Sequence, residues 1–152
     1  MKKPISLYLL ILLLGFLSVG ALYGGWSLIT DPTGGNLQLP IDFIKTSTSP
    51  FADYLIPGII LFTFNGLLPL FIIFSLIKKP KISFLQKINP FKSYHWTWTL
   101  TGILGIGLTI WIVTEVYITQ MYYPPLQLPF LGLGSIIILL DLMPKVRGYL
   151  VK

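Results

Sequence analysis

Four long stretches of this chain carry almost no charge, and that feature limits the folds open to it. They predict helices near residues 5–29, 54–77, 97–119 and 125–143. Each is close to the roughly 20 apolar residues that a helix needs to cross a bilayer. Only 11% of the residues are charged, whereas soluble domains carry about 25%. The sequence therefore predicts an all-α membrane protein, a four-transmembrane-helix bundle in a single domain.

The connections between the predicted helices differ in character. Residues 30–53 form the longest one, where Asp31-Pro32 and Gly34-Gly35 indicate a turn. Its mixture of apolar and turn residues is typical of an ordered segment. Residues 78–95 form a shorter connector with five lysines and no acidic residue.

Basic residues are distributed in a way that predicts the orientation of the chain. Cytoplasmic loops of membrane proteins carry an excess of lysine and arginine. Four crossings place ten of the eleven basic residues on one side and leave only Lys45 on the other. We therefore predict a multi-pass membrane protein, with both termini and the 78–95 connector in the cytoplasm and the 30–53 loop outside. This topology accounts for the net charge of +6, so the expected partner is the lipid bilayer and not nucleic acid.

A cleaved signal peptide is the alternative interpretation of the first stretch. Lys2 and Lys3 would be its basic start and Val19-Gly20-Ala21 its cleavage site. Apolar character continues beyond that site through Leu22 and Trp26, which favours a retained transmembrane helix.

The sequence offers few groups for catalysis or metal binding. It has no cysteine and one histidine, His95, which excludes thiolate chemistry, disulfides and a multi-histidine metal site. No nucleophile elbow or phosphate-binding loop is present. These features predict a non-enzymatic protein without metal or cofactor.

Glu115 is the residue whose position most suggests a function, because an ionisable group inside a membrane helix is costly and is a candidate site by default. It lies in the outer half of the third predicted helix, and we expect a polar pocket built from Glu115, Asn65, Gln127, Thr119 and Asp53. The alternative is a carboxylate that bonds to nearby hydroxyls and amides or reaches interfacial water. Asn65 is expected to need an interhelical hydrogen-bond partner.

Two further patterns concern packing at helix surfaces. The spacings Gly20/Gly24 and Gly102/Gly105 allow another helix to approach closely, so they could form faces for a membrane-protein partner or a homo-oligomer. Asp141 stands four residues before Lys145, the spacing of an ion pair on one helix face.

Several segments spread over nearly the whole chain resemble a family of small four-span bacterial membrane proteins that has no assigned function. They are Asp31-Pro32-Thr33-Gly34, Leu39-Pro40, Pro50-Phe51-Ala52-Asp53-Tyr54-Leu55-Ile56-Pro57-Gly58, His95-Trp96, Ile110-Trp111-Ile112, Leu126-Gln127 and Leu142-Met143-Pro144-Lys145-Val146-Arg147. The resemblance implies the same topology, with four helices that cross a bacterial cytoplasmic membrane. These motifs carry no known chemistry, and the family often has glutamine where Glu115 stands here.

Two functions remain open from the sequence. The leading hypothesis is a non-enzymatic accessory or interaction protein. The alternative is a small transporter or channel with a polar path through Glu115, Asn65 and Gln127. A lipid-modifying enzyme is a third class, but no catalytic set is visible for it.

Overall fold

A computed structural model describes residues 3–46, 48–120 and 124–152, without the side chains of residues 124–126. The described chain is helical, and its only bridge of the β type joins Tyr94 to Val151. The helices are α1 (Ile5–Thr30), α2 (Leu55–Lys78), α3 (Ser83–Ile88), α4 (Trp96–Thr119), α5 (Pro124–Leu142) and α6 (Pro144–Tyr149). Two short 3₁₀ turns, Gly35–Leu37 and Ile41–Phe43, lie between α1 and α2.

Three helices among the described residues, α1, α2 and α4, are long and apolar enough to cross a membrane. This confirms the predicted all-helical fold and the membrane class. In α5 the part with described side chains, Gln127–Leu142, is apolar but shorter. The predicted fourth stretch, 125–143, corresponds to α5.

The middle of α2 is wound more widely than an α-helix, with π-type turns over Leu61–Leu67. Pro69 has no N–H, so the carbonyl of Asn65 has no donor four residues ahead, and the wider turn accommodates the proline ring. The next carbonyl, that of Gly66, accepts a 2.7 Å hydrogen bond from the Ser18 hydroxyl of α1. An interhelical hydrogen bond thus ties the widened part of α2 to α1.

Glycines set the closest approaches between helices. A Cβ built on Gly25 would lie 2.6 Å from the backbone nitrogen of Phe62, so α1 and α2 touch backbone to backbone there. In the same way, a Cβ on Gly105 of α4 would lie 3.2 Å from the carbonyl oxygen of Gly134 in α5. In addition, α1 contacts α5 and α2 contacts α4. Each of the four long helices therefore contacts two of the others.

The two predicted oligomer faces, Gly20/Gly24 and Gly102/Gly105, differ in what surrounds them. No described atom lies within 4 Å of a Cβ built on Gly20, whereas Gly24 meets the Leu61 side chain at 3.4 Å. Gly102 and Gly105 face α5 of the same chain. Of these four glycines, Gly20 is thus the one without a close neighbour among the described residues.

The connection between α1 and α2 is anchored at both of its ends. The Asp31 carboxylate accepts hydrogen bonds from the Thr33 hydroxyl at 2.6 Å and the Asn36 N–H at 2.9 Å. The Thr33 bond is the main reason that the pKa of Asp31 is lowered. Farther along, the Thr48 hydroxyl donates to the carbonyl of Tyr117 at 3.2 Å and so covers the end of α4. We call this side of the molecule the loop end.

The opposite side, which we call the basic end, is also ordered. The 78–95 connector contains α3 and meets the C-terminal residues through the Tyr94–Val151 bridge. The His95 N–H donates to the carbonyl of Leu150 at 2.8 Å, and the Lys152 N–H donates to the carbonyl of Ser93 at 3.1 Å. The connector and the tail therefore form one layer beneath the long helices, which charge counting alone could not predict.

Candidate functional site

Glu115 is half-buried near the loop end of α4, and its carboxylate is hydrogen-bonded to the side chain of Gln127. The Thr119 hydroxyl donates to the backbone carbonyl of Glu115 at 2.8 Å, not to its carboxylate. Tyr54 is close enough to feel the Glu115 charge: burial chiefly, and that charge in addition, raise the pKa of its hydroxyl. The structure thus brings Glu115, Gln127 and Thr119 together, with Tyr54 as a neighbour that the sequence did not suggest.

Asp53 and Asn65 lie elsewhere. The Asp53 carboxylate accepts the Leu55 N–H at 2.9 Å, which caps the start of α2. Asn65 is about 15 Å along α2 from its start, whereas Glu115 is about 6 Å from the end of α4, at 1.5 Å per residue. No hydrogen bond among the described residues joins either side chain to Glu115. The five predicted pocket residues are therefore not one constellation.

The Asn65 side chain is fully buried, with no hydrogen-bond partner for its amide nitrogen or oxygen within the described chain. The predicted interhelical bond of Asn65 is thus not formed there. Its neighbour Gly66 accepts the Ser18 hydroxyl instead. Near Gln127 lies a cavity of about 210 Å³, and its other lining residues in the described chain are apolar.

Asp141 is a second buried carboxylate, at the basic end of α5, and it is only 2% exposed. The predicted pair with Lys145 is wrong, because Met143 is extended and Pro144 begins a new helix. Lys145 is therefore exposed and not one turn above Asp141. Asp141 faces α4 instead: a Cβ built on Gly102 would lie 3.4 Å from its Oδ2.

Arg147 supplies the positive charge that acts on Asp141. Its Nη2 donates to the Tyr94 hydroxyl at 2.8 Å, and its guanidinium carbon lies 5.2 Å from the Tyr94 ring centre and 5.5 Å from that of Trp98. The Trp98 indole N–H donates to the backbone carbonyl of Asp141 at 2.9 Å. We call Asp141, Arg147, Tyr94 and Trp98 the Asp141 cluster.

A groove of about 750 Å³ opens at the basic end between α3, the start of α4 and the tail. It is lined by basic and aromatic residues together with shorter side chains. The basic and aromatic ones are Lys79, Lys81, Lys87, Lys92, Lys152, His95 and Trp96. We call it the basic groove.

His95 connects the groove to the start of α4. Its Nε2 is 3.2 Å from the carbonyl oxygen of Pro80, which can only accept, so Nε2 carries the proton. Its Nδ1 then accepts, and it lies 2.8 Å from the Thr97 hydroxyl and 3.4 Å from the Thr97 N–H. The neutral ring thus caps α4 with both nitrogens in use.

Acidification is expected to loosen the basic end through His95. Burial lowers the pKa of His95, against the hydrogen bond to Pro80, and the charges of Lys79 and Lys152 lower it further. Because the folded pKa lies below the unfolded value of about 6.5, the unfolded chain binds the proton more tightly. Stability is therefore kept above that value and lost as the pH falls through the folded pKa. The hydrogen-exchange rates of the amides at the start of α4, corrected for the intrinsic effect of pH, should increase as the pH falls from 7 to 5.

The matched variant for this experiment is His95→Gln, which keeps a polar side chain but cannot titrate. Its exchange rates, corrected for the intrinsic effect of pH, should show no additional opening over the same range. An equal acid-induced opening in both proteins would assign the effect to other groups.

Comparisons of the chain with profiles of known families, with curated proteins and with solved structures find no match. The function is therefore inferred from the side-chain contacts at the loop end and at the basic end. Among the described residues no group of three histidine, aspartate or glutamate side chains is placed to hold a metal ion. These residues cap helices, bury two carboxyl groups to different extents and present lysines at the basic end.

Proposed function

We propose that this protein is a non-enzymatic accessory or interaction protein of the bacterial cytoplasmic membrane, and that its basic end is the interaction surface. In this proposal the four long helices cross the bilayer, both termini and the basic end are cytoplasmic, and the loop end is outside. The positive-inside distribution supports this orientation, and the family resemblance of the sequence supports the bacterial membrane.

The observation that supports this proposal is that hydrogen bonds hold the connector of the basic end in a defined conformation. Lysines that only determine topology can lie on any flexible connector. Here the connector is fixed to α4: Gln86 Oε1 accepts a hydrogen bond from the Trp96 N–H at 3.2 Å, and the Thr99 hydroxyl donates to Asn89 Oδ1 at 2.6 Å. Such contacts hold the lysines on a surface of defined shape, which is what recognition needs and insertion does not.

The space between the two buried carboxylates favours interaction over transport. Along α4 and α5, the interior between Glu115 and Asp141 contains apolar side chains that are at most 2% exposed, and the buried Asn65 of α2 is not hydrogen-bonded to either carboxylate among the described residues. The apolar side chains include Leu104, Leu108 and Ile137. A transported ion would need polar groups or water through this layer, so the packed leucine and isoleucine side chains support the interaction proposal over a path from Glu115.

Affinity purification of the full-length protein from its native membrane in mild detergent tests the proposal. A stoichiometric second membrane protein is expected to remain bound, and to be lost when lysines of the basic end are replaced. Recovery of only a homo-oligomer would overturn the accessory role.

The transport alternative has its own test in liposomes containing the purified protein and a pH-sensitive dye. We expect no proton flux above that of protein-free liposomes. A flux that is abolished by Glu115→Gln and kept by Asp42→Asn, an exposed carboxylate at the same end, would overturn the interaction proposal in favour of transport.

A further inference from the structure

The basic groove concentrates positive charge without a described acidic residue among its lining side chains. Lys79 is turned inward. Its ammonium group donates a hydrogen bond to the backbone carbonyl of Tyr149 and lies 3.4 Å from the centre of the Tyr149 ring. Lys92 donates to the Lys87 carbonyl at 2.6 Å, which holds the rim together. Lys81 and Lys87 are exposed. An anion in the groove would relieve the repulsion among these charges.

The floor of the groove lies at the level where helices leave the bilayer. Lys79 is the residue after the end of α2, and His95 is the residue before the start of α4. Between them, the Trp96 indole donates to the Pro80 carbonyl at 3.3 Å and stacks on Phe71 with ring centres 5.5 Å apart. Tryptophan is enriched at this depth in membranes. Lipid phosphates of the same leaflet therefore lie within reach of the groove.

Large apolar side chains are exposed beside the lysines. Phe84 and Ile88, one turn apart on α3, are 67% and 60% exposed, and Phe91 follows at 50%. A short helix with lysines and large exposed apolar residues is typical of a segment that lies in the headgroup layer. A soluble anion would use the lysines alone, whereas a lipid would use both sets of side chains.

We propose that the basic groove binds the phosphate-bearing headgroup of an anionic phospholipid, while Phe84 and Ile88 contact its acyl chains. Lys81 and Lys87 are the cations that meet the phosphate. The volume of the groove, about 750 Å³, is within the range of small-molecule sites. This inference rests on the proposed interaction role of the basic end and names a ligand for it.

The experiment compares two double variants of the full-length protein that remove the same charge from the same end. Lys81→Gln/Lys87→Gln alters the groove, whereas Lys78→Gln/Lys145→Gln alters exposed lysines that do not line it. Native mass spectrometry of the protein in detergent, titrated with phosphatidylglycerol or phosphatidylcholine, gives the lipid affinity. We expect the groove variant to bind phosphatidylglycerol at least about tenfold more weakly, since each lysine near an anionic surface contributes appreciably. The other variant should stay within about twofold of the parent.

Two further measurements distinguish specific lipid binding from the binding of a soluble phosphate and from attraction to net charge alone. Phe84→Ser/Ile88→Ser should weaken phosphatidylglycerol binding but leave the binding of soluble glycerol phosphate unchanged. Equal weakening by both lysine pairs, equal binding of phosphatidylcholine, or glycerol phosphate bound as tightly as the lipid would overturn the proposal. Loss of specific lipid binding with the protein partner still recovered would refute this inference alone. A homo-oligomer that binds the lipid specifically would refute only the accessory role.

Discussion

Replacing Gly25 by valine is expected to separate α1 from α2 and to lower the free energy of unfolding by about 3 kcal/mol or more. An added Cβ would lie 2.6 Å from the nitrogen and 2.8 Å from the Cα of Phe62, and neither backbone atom can rotate away. One turn along α1, Leu28 Cβ would lie 2.7 Å from a Cβ on Gly58, so the helices cannot slide past one another either. Thermal unfolding in detergent, followed by size-exclusion chromatography, measures the loss.

Gly20→Val is the matched control, since it makes the same change on the same helix. No described atom lies within 4 Å of a Cβ built there, so the stability of the monomer should change by less than about 0.5 kcal/mol. A loss as large as that of Gly25→Val would contradict the packing of α1 against α2. A loss of oligomer without loss of monomer stability would support the Gly20/Gly24 face as a contact with a partner.

The positions of the helices follow from local features of the sequence. The predicted stretches 54–77 and 97–119 differ from α2 and α4 by about one residue at their ends, because charged residues and prolines bound the uncharged runs. The basic connector and the long loop could also be predicted, because charged residues and turn residues mark them in the sequence. Such features are read within one segment, and they need no knowledge of what packs against it.

Contacts between segments were less predictable, and the glycines show why. The sequence spacing singles out Gly20 and Gly24, yet the residue pressed against Phe62 is Gly25. Phe62 lies within the wider turns of α2, which Pro69 of α2 favours, so no feature of the α1 sequence marks Gly25 as the contact. In α4 the Gly102/Gly105 spacing did mark a helix contact, but it lies within the chain.

The two carboxylates illustrate the same limit at the candidate sites. The hydrogen bond between Glu115 and Gln127 could be anticipated because only a few residues separate the predicted helices 97–119 and 125–143 in the sequence. Asp141 could not be placed, since its i, i+4 relation to Lys145 assumed a continuous helix that Pro144 ends. Its actual surroundings come from α4 and the tail, and the Trp98 indole that bonds to its carbonyl is more than forty residues away in the sequence.

Arg147→Met is expected to be among the most destabilising changes at the basic end, at about 2–3 kcal/mol, because it removes the hydrogen bond to the Tyr94 hydroxyl and the contacts with the Tyr94 and Trp98 rings. It leaves the Asp141 carboxylate 2% exposed, with no described hydrogen-bond partner at Oδ1 and without its positive neighbour. Asp141→Asn removes the charge at nearly constant shape and should cost far less by itself. Lys145→Met, an exposed cation nearby, is the control and should change stability by less than about 0.5 kcal/mol.

The double variant Arg147→Met/Asp141→Asn separates the two roles of the arginine. If Arg147 chiefly neutralises Asp141, the second substitution should recover about 2 kcal/mol of the loss, a coupling typical of contacting residues. The unrecovered part measures the hydrogen bond to Tyr94 and the contacts with the Tyr94 and Trp98 rings, which the neutral side chain at position 141 cannot restore. A double variant as unstable as the sum of the single ones would show that the aromatic contacts alone hold Arg147, and that the buried carboxylate is stabilised without it.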